Sequence, residues 1–491
     1  MNPNLPVAQP PDHPITRRVM AHPSVAHIVQ GNDMVFVLRG QLLVRAGAIP
    51  ALGAYLTAIA RPVASLGGAG GLGAGYGRPQ QPPPPLGARD SEPSPELPDD
   101  REEFDLGEAD VQLWVLEDET ADPIDVAKRL RQQADPVRVP TRKGPDVLVE
   151  AVSPNHVCVV AKPNICPAGP PAPIPPPLDA CSFVEPWRDD EPRVHVVVID
   201  TGYIYARPRH RELDRHVRSV RGTWFDTSLP GWRWCPPDVR STDGGYELDG
   251  ISGHGTFIAG LIARHCRQAR ITVVGQRHDV VWVGPNPGPA QQSMLFSSEF
   301  DVAHALLRHS RADVISCGFA FATLNNLTSL PFAAAMTAIL ARFPDIAVAS
   351  PAGNEETSIP YWPAAHPDVV GVAATDRLGN ARAWFSNWGD WADVCTRGQD
   401  VWSTYVDWTG RVEGYPLYET LRFDRWASWD GTSFATPRVA GAIARYAVES
   451  STAPWASYQA LIAGGTPVQV APLAGQAGAG PLVDLPNLDI R

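Results

Sequence analysis

Apolar residues in the second half of the chain follow two alternating patterns. Continuous apolar runs such as VHVVVI (194–199) and VVGVAA (369–374) alternate with helical stretches such as TFIAGLIARH (256–265). Continuous runs are typical of buried parallel strands, whereas apolar residues three and four apart are typical of helices. From about residue 190 the pattern therefore predicts an α/β domain, a mostly parallel sheet with helices on both faces. A functional site is expected at the carboxyl ends of its strands.

Residues 1–65 are predicted to hold a small N-terminal element. Two short apolar runs within residues 33–45 are separated by Arg39 and Gly40, and residues 49–61 have the spacing of a helix. Both patterns are short, so a small folded element is the expectation.

Residues 108–165 are predicted to form a compact α+β unit. Residues 110–117 have the pattern of a strand, and residues 123–133 that of a short amphipathic helix opened by Asp122 and Pro123. The runs DVLVEAV and HVCVVA predict two further strands.

Two segments rich in Pro and Gly separate these units. Residues 66–107 combine Gly, Pro and acidic residues, which cannot offset the entropy of ordering, and are predicted to be a flexible linker. Residues 166–189 include CPAGPPAPIPPPLDA, which predicts a spacer stiffened by polyproline conformation. The α/β domain is assigned to residues 190–450, and residues 451–491 are assigned to a C-terminal extension.

Composition and charge exclude several classes of protein. A net charge of −12 argues against general nucleic-acid binding, which needs a concentrated basic surface. No apolar stretch approaches a membrane span, and the N-terminus lacks the apolar core of a secretory signal. The seven cysteines have no C-x-x-C spacing, which argues against a zinc site. A soluble cytoplasmic protein with reduced thiols is expected; export by another route, with Cys181 bridged to Cys158 or Cys166, stays open.

Three motifs place reactive side chains at the ends of predicted elements. VHVVVIDTG ends a buried strand in Asp200, and SGHGTFIAG places His254 between two glycines at the start of a helix. DGTSFATPRVAG places Ser433 at a helix N-terminus, where free backbone N–H groups face any developing negative charge. IAVASPAGNEE adds Asn354, whose side-chain amide is a candidate oxyanion donor. Each motif alone is also compatible with a turn or helix cap, but their order and expected convergence favour a catalytic site.

The segments DTG, GHGTFIAG, AGN and GTSFATPRVAG resemble the signature segments of the subtilisin-like serine proteases, over about residues 192–450. The resemblance implies a triad in which Ser433 is the nucleophile, His254 the general base and Asp200 the residue that orients the imidazole. It also implies that Asn354 and the backbone N–H of Ser433 form the oxyanion hole.

The same resemblance extends to the substrate cleft. DVISCGFA (313–320) is similar to the family strand that lines the cleft, which implies a cleft position for Gly318, and the resemblance also implies a cleft position for Gly353 of the AGN segment. Cys317 and Phe319 depart from the small or aliphatic residues usual there, so the cleavage specificity stays undetermined.

The implied function is a serine endopeptidase acting on a polypeptide substrate without a required cofactor. No calcium-loop spacing is present, and calcium binding stays undetermined. Residues 108–165 are either a propeptide cut between Cys166 and Ala180 or a permanent docking domain, and a regulatory partner protein fits both alternatives. A catalytically silent binding module with the same fold is the rival interpretation. An esterase is disfavoured because no G-x-S-x-G motif occurs.

Overall fold

Helices and strands alternate along the chain in a computed structural model, which describes residues 25–30, 33–66, 109–118, 120–160, 171–176, 193–203, 211–221, 239–242, 245–248, 250–275, 296–412, 419–464, 466–468 and 482–484. The helices in these ranges are α1 (Ile49–Leu56), α2 (Pro123–Arg131), α3 (Arg211–His216), α4 (His254–His265), α5 (Glu299–Arg308), α6 (Leu330–Arg342), α7 (Thr432–Ser450) and α8 (Pro454–Ala463). None of them is long and apolar enough to cross a membrane.

The strands of the same ranges form four sheets. Those of the N-terminal part are β1 (Val25–Gln30), β2 (Asp33–Arg45), β3 (Ala60–Ser65), β4 (Val111–Leu116), β5 (Val137–Val139), β6 (Val147–Val149), β7 (Val152–Val160) and β8 (Ala172–Pro173). The remaining strands are β9 (Val194–Asp200), β10 (Val217–Arg221), β11 (Val239–Thr242), β12 (Gly245–Leu248), β13 (Ala269–Gly275), β14 (Phe296–Ser298), β15 (Val314–Cys317), β16 (Phe319–Ala322), β17 (Ala347–Pro351), β18 (Tyr361–Trp362), β19 (Val370–Thr375), β20 (Val394–Arg397), β21 (Val401–Val412), β22 (Leu421–Trp429), β23 (Thr466–Val468) and β24 (Leu482–Asp484).

The central sheet has nine strands in the order β10-β13-β9-β15-β17-β19-β20-β24-β23. Its strands pair in parallel, except for the antiparallel pair β23–β24. Val196 and Val198 of β9 join the apolar cluster that contains α4 and α7. Val197 and Ile199 face the opposite cluster, which contains α5 and α6. Helices therefore cover both faces, and the predicted α/β fold is confirmed.

A second sheet joins the N-terminal part to the α/β domain. Strands β18-β16-β7-β2-β4-β3 form its main path, β1 pairs with β2, and β14 pairs with β7. Because β2 pairs with both β4 and β7, residues 25–66 and the unit beginning at residue 109 share one sheet. We call β1–β7 with α1 and α2 the N-terminal unit. Its Leu43 and Leu113 pack in the same cluster as Phe300 of α5.

One prediction in the N-terminal unit needs correction, and the structure shows what the apolar runs around Arg39 form. The helix predicted for residues 49–61 ends at Leu56, because the chain from Ala60 turns back and pairs with β4. The two apolar runs around Arg39 and Gly40 form one strand, β2, whose register shifts as it passes these residues. Long-range strand pairing decides both outcomes, and local spacing does not report it.

Only part of the two predicted linkers is described. In the first linker (66–107) the structure describes Leu66, and in the Pro-rich spacer (166–189) it describes residues 171–176. Within the spacer, β8 pairs antiparallel with the end of β22, in a sheet ordered β11-β12-β21-β22-β8. Cys158 is a free, buried thiol, so a Cys158–Cys181 bridge is absent. Cys166 and Cys181 lie outside the described residues.

Candidate active site

Asp200 and His254 form a buried hydrogen-bonded pair at the carboxyl end of β9. The Nδ1 atom of His254 lies 2.9 Å from Oδ1 and 2.8 Å from Oδ2 of Asp200, and neither side chain is exposed to solvent. The backbone N–H of Thr201 also donates to Asp200 Oδ1, at 2.6 Å. Because a carboxylate can only accept hydrogen bonds, the Nδ1 atom of His254 must carry the proton that it donates. The lone pair on Nε2 is then available.

Aromatic rings surround the His254 imidazole. Its ring centroid lies 5.4 Å from that of Trp429 and 5.2 Å from that of Phe434. Nε2 is buried and has no hydrogen-bond partner within the described part of the chain. A base with an unused lone pair is thereby held in an apolar setting beside the first turn of α7.

Two glycines allow the backbone to approach this pair closely. A Cβ atom at Gly318 would lie 1.6 Å from Oδ2 of Asp200, and one at Gly255 would lie 2.2 Å from the carbonyl oxygen of Gly202. Gly318 separates β15 from β16, so the cleft strand predicted from the sequence is interrupted where it passes the carboxylate. Burial, and secondarily Asp200, raises the pKa of the preceding Cys317 thiol, which therefore stays protonated.

Ser433 lies in the first turn of α7 and is 5% exposed. The residue before it, Thr432, donates its backbone N–H and its hydroxyl to Oδ1 of Asn354, at 2.8 and 2.9 Å. The residue after it is Phe434, whose ring packs on His254. Ser433 is therefore held between a residue bonded to Asn354 and a residue that contacts the imidazole.

The Asn354 side chain is oriented by its contacts with α7. Both hydrogen bonds from Thr432 end on the carbonyl oxygen of the amide, which fixes the NH₂ group on the other side. Gly353, the residue before it, donates its backbone N–H to the Thr432 hydroxyl at 3.2 Å. The loop after β17 is thus tied directly to the residue next to Ser433.

Asn387 stabilises this loop, and the sequence interpretation did not single it out. Its Oδ1 accepts a hydrogen bond from the backbone N–H of Glu355 at 2.7 Å, and its Nδ2 donates to the carbonyl oxygen of Ala352 at 3.0 Å. The segment WFSNWG, which contains Asn387, was a point of resemblance to the family, but its sequence does not show which loop the amide would bind.

All six site residues predicted from the sequence lie at or just beyond the carboxyl ends of β9, β15 and β17, or at the starts of the helices that face them. Five of the six fall into two groups of contacts. Asp200 is hydrogen-bonded to His254 and lies against Gly318. Asn354 and Gly353 are both hydrogen-bonded to Thr432, the residue before Ser433. In the described segments, no group of three or more His, Cys, Asp and Glu residues has the arrangement of a metal site.

Residues 192–475, more than half of the chain, match the model of the subtilase family, peptidase family S8. The chain belongs to the subtilase family. This subtilase is 28% identical over 252 residues to a thermophilic serine proteinase of Bacillus sp. (strain AK1), covering 50% of each chain. It is 27% identical over 277 residues to Subtilisin BL of Lederbergia lenta, covering 54% of this subtilase and 80% of that protein.

The subtilase spans about half the length of the first of these relatives. Among solved structures, a protease of Pseudoalteromonas arctica PAMC 21717 aligns with a TM-score of 0.42 and 21% identity, covering 60% of this subtilase and 88% of that chain.

Proposed function

We propose that this subtilase is a serine endopeptidase that cleaves polypeptides through an acyl-enzyme intermediate. The observation that carries the proposal is the buried Asp200–His254 pair, with a free Nε2 lone pair, beside the helix turn that presents Ser433. Membership of the subtilase family and similarity to proteins named serine proteinase and subtilisin support the same activity.

The proposed reaction uses each group in turn. Ser433 Oγ attacks the carbonyl carbon of the scissile peptide while its proton passes to Nε2 of His254. Asp200 accepts the hydrogen bond from Nδ1 of His254, which orients the ring, and its negative charge stabilises the imidazolium that forms. The C–N bond then breaks, the leaving amine takes the proton from Nε2, and an acyl ester on Ser433 remains. Water repeats the sequence, releasing the acid and restoring the serine.

Developing charge on the substrate oxygen is proposed to be stabilised by two donors. The NH₂ group of Asn354 and the backbone N–H of Ser433 lie at the start of α7, where the helix dipole also favours negative charge. These donors are fixed before substrate binds, so little reorganisation is needed as the charge forms.

The N-terminal unit is proposed to regulate access to this site. Its strand β7 pairs antiparallel with β16, the strand that follows Gly318, through Val160 opposite Phe319 and Val159 opposite Ala320. This edge corresponds to the cleft strand of the family resemblance. Both alternatives, a propeptide and a permanent docking domain, agree with that position, and the predicted cut between Cys166 and Ala180 lies largely outside the described residues.

Replacing Asn354 with Asp is expected to reduce the turnover number for casein by roughly 10²- to 10³-fold. The substitution keeps an oxygen for the two bonds from Thr432 but replaces the NH₂ donor with a negatively charged oxygen. The fold should be retained, although burial of the new charge should lower the urea-unfolding midpoint. Steady-state hydrolysis and urea unfolding of the same preparation measure the two effects.

Asn354→Ala is the comparison variant. It removes both the donor and the acceptor and leaves the buried Thr432 N–H unpaired, which should lower the free energy of unfolding by about 1–3 kcal/mol in addition to reducing turnover. Wild-type turnover in Asn354→Asp would remove Asn354 from the proposed mechanism.

A further inference from the structure

The loop between β5 and β6 reaches from the N-terminal unit to a distant part of the α/β domain. We call residues 140–146 the clamp loop. Its Arg142 guanidinium donates from Nη1 to the carbonyl oxygens of Pro344 and Ile346, at 2.9 and 3.0 Å, and from Nη2 to that of Asp368, at 3.0 Å. The guanidinium carbon also lies 3.7 Å from the centroid of the Trp455 ring. One side chain thus bridges three backbone carbonyls and an aromatic ring.

Lys143 adds a second anchor beside the first. Its Nζ donates to the carbonyl oxygen of Val369 at 3.0 Å and to the carboxylate of Asp393. The Tyr458 ring centroid lies 5.6 Å away. The Lys143 side chain is 28% exposed and that of Asp393 is 18% exposed, so water screens this ion pair less than one at the open surface.

The clamp loop binds at the edge of the central sheet opposite the candidate active site. Ile346, Val369 and Asp393 directly precede β17, β19 and β20, so they lie at the amino ends of these parallel strands. The active-site residues follow the carboxyl ends. The clamp loop therefore anchors the N-terminal unit at a point that lies away from the substrate cleft.

A buried polar network also spans the interface between the N-terminal unit and the α/β domain. His156 of β7 lies with Nδ1 2.5 Å from Oε1 of Glu299 at the start of α5, and its Nε2 accepts the backbone N–H of Leu324 at 3.1 Å. Ser329 donates to the other Glu299 oxygen at 2.6 Å. His156 and Glu299 are 2% and 0% exposed, so the interface removes both side chains from water. Each then depends on the other part of the chain for its hydrogen-bond partners.

Apolar packing completes the contact. Residues of β2, β4 and β7 share one buried cluster with α5 and α6. By contrast, the strand pairing at the cleft edge involves only two residue pairs between β7 and β16. Most of the contact between the two parts of the chain thus lies outside the cleft edge.

We infer that the N-terminal unit is a permanently bound subunit of the protease, held by the clamp loop and the His156–Glu299 interface after any cut in the Pro-rich spacer. The inference goes beyond the proposed peptidase activity, because retention depends on binding alone. It selects a permanent docking domain over a released propeptide.

The test uses a full-length Ser433→Ala chain with a recognition site for a sequence-specific protease inserted between β8 and β9. After the added protease has cut the chain, as verified on a denaturing gel, size-exclusion chromatography is run in native buffer. We expect the two fragments to elute together and to separate only in denaturant. Separate elution of the fragments in native buffer would overturn the inference, whether or not the wild-type chain is an active peptidase.

Paired charge-removal variants test the role of the clamp loop in the same assay. Arg142→Ala with Lys143→Ala should raise the dissociation constant of the two fragments by about 10²-fold or more, since each change leaves interface carbonyls or a carboxylate without a partner. Lys128→Ala with Arg129→Ala also removes one lysine and one arginine charge, but from the exposed face of α2, and should leave the dissociation constant unchanged. Equal dissociation constants for the two double variants would exclude the clamp loop as the anchor.

Lysine labelling checks retention without altering the interface. The chain has lysines only at Lys128, Lys143 and Lys162, and the Lys128 side chain is 48% exposed. Reductive methylation followed by mass spectrometry should modify Lys143 more slowly than Lys128 both before and after the cut. Equal rates for the two lysines after the cut would mean that the clamp loop has left its binding site.

Discussion

Replacing Ser433 with Ala is expected to lower the turnover of casein by roughly 10⁶-fold, the order of loss known for the nucleophile of subtilisin. The change removes the attacking oxygen and leaves the Asp200–His254 pair in place. Alanine is also well suited to the first turn of α7, so the free energy of unfolding should change little. The measurement is the initial rate of casein hydrolysis, with circular dichroism of the same samples.

Ser450→Ala is the matched control for this variant. Ser450 is exposed at the other end of α7, and its replacement changes the same functional group in the same helix. Its casein turnover should equal that of the wild type. Hydrolysis by Ser433→Ala at the wild-type rate would exclude Ser433 as the nucleophile.

Replacing Asp200 with Asn is expected to reduce turnover by about 10⁴-fold without loss of the fold. Oδ1 would still accept the backbone N–H of Thr201, which places the new NH₂ group toward Nδ1 of His254. Nδ1 would then have to accept a hydrogen bond, and the ring proton would move to Nε2. A protonated Nε2 cannot take the proton of Ser433, so the general base is lost although His254 itself is unchanged.

The measurement is the pH dependence of turnover for Asp200→Asn beside Asp390→Asn. Asp390 is exposed, and its replacement by Asn changes the net charge by the same amount. Turnover should be low across the neutral range in the first variant and unchanged in the second. Equal activity of both variants would show that Asp200 does not set the tautomer of His254.

The sequence was most informative for the central sheet and the residues at its edge. The apolar runs that became β17 and β19 are fully buried, and β9 is buried except for the half-buried His195, so their pattern depends little on the rest of the fold. Asp200 follows directly from the end of such a run. His254 begins one helix and Ser433 lies in the first turn of another, where helix-start chemistry is visible locally.

The remaining features depend on contacts between distant parts of the chain. Nothing near residue 60 shows that β3 will pair with β4 and end the helix at Leu56. Arg142 and Lys143 belong to a short polar loop, and their partners lie more than 200 residues away. Asn387, which stabilises the loop after β17, lies outside the helices and strands, where the sequence has no periodic pattern. No local pattern specifies such partners, so the structure was needed to identify them.

The most direct test of the proposed peptidase chemistry is the reaction of the purified chain with a fluorophosphonate, followed by intact mass and peptide mapping. We expect one covalent adduct, on Ser433, that is absent in Ser433→Ala and forms far more slowly in Asp200→Asn, since His254 must remove the serine proton for the oxygen to attack phosphorus. An adduct on another serine, or an unmodified Ser433 in the folded wild-type chain, would contradict the assignment of this site as the nucleophilic centre.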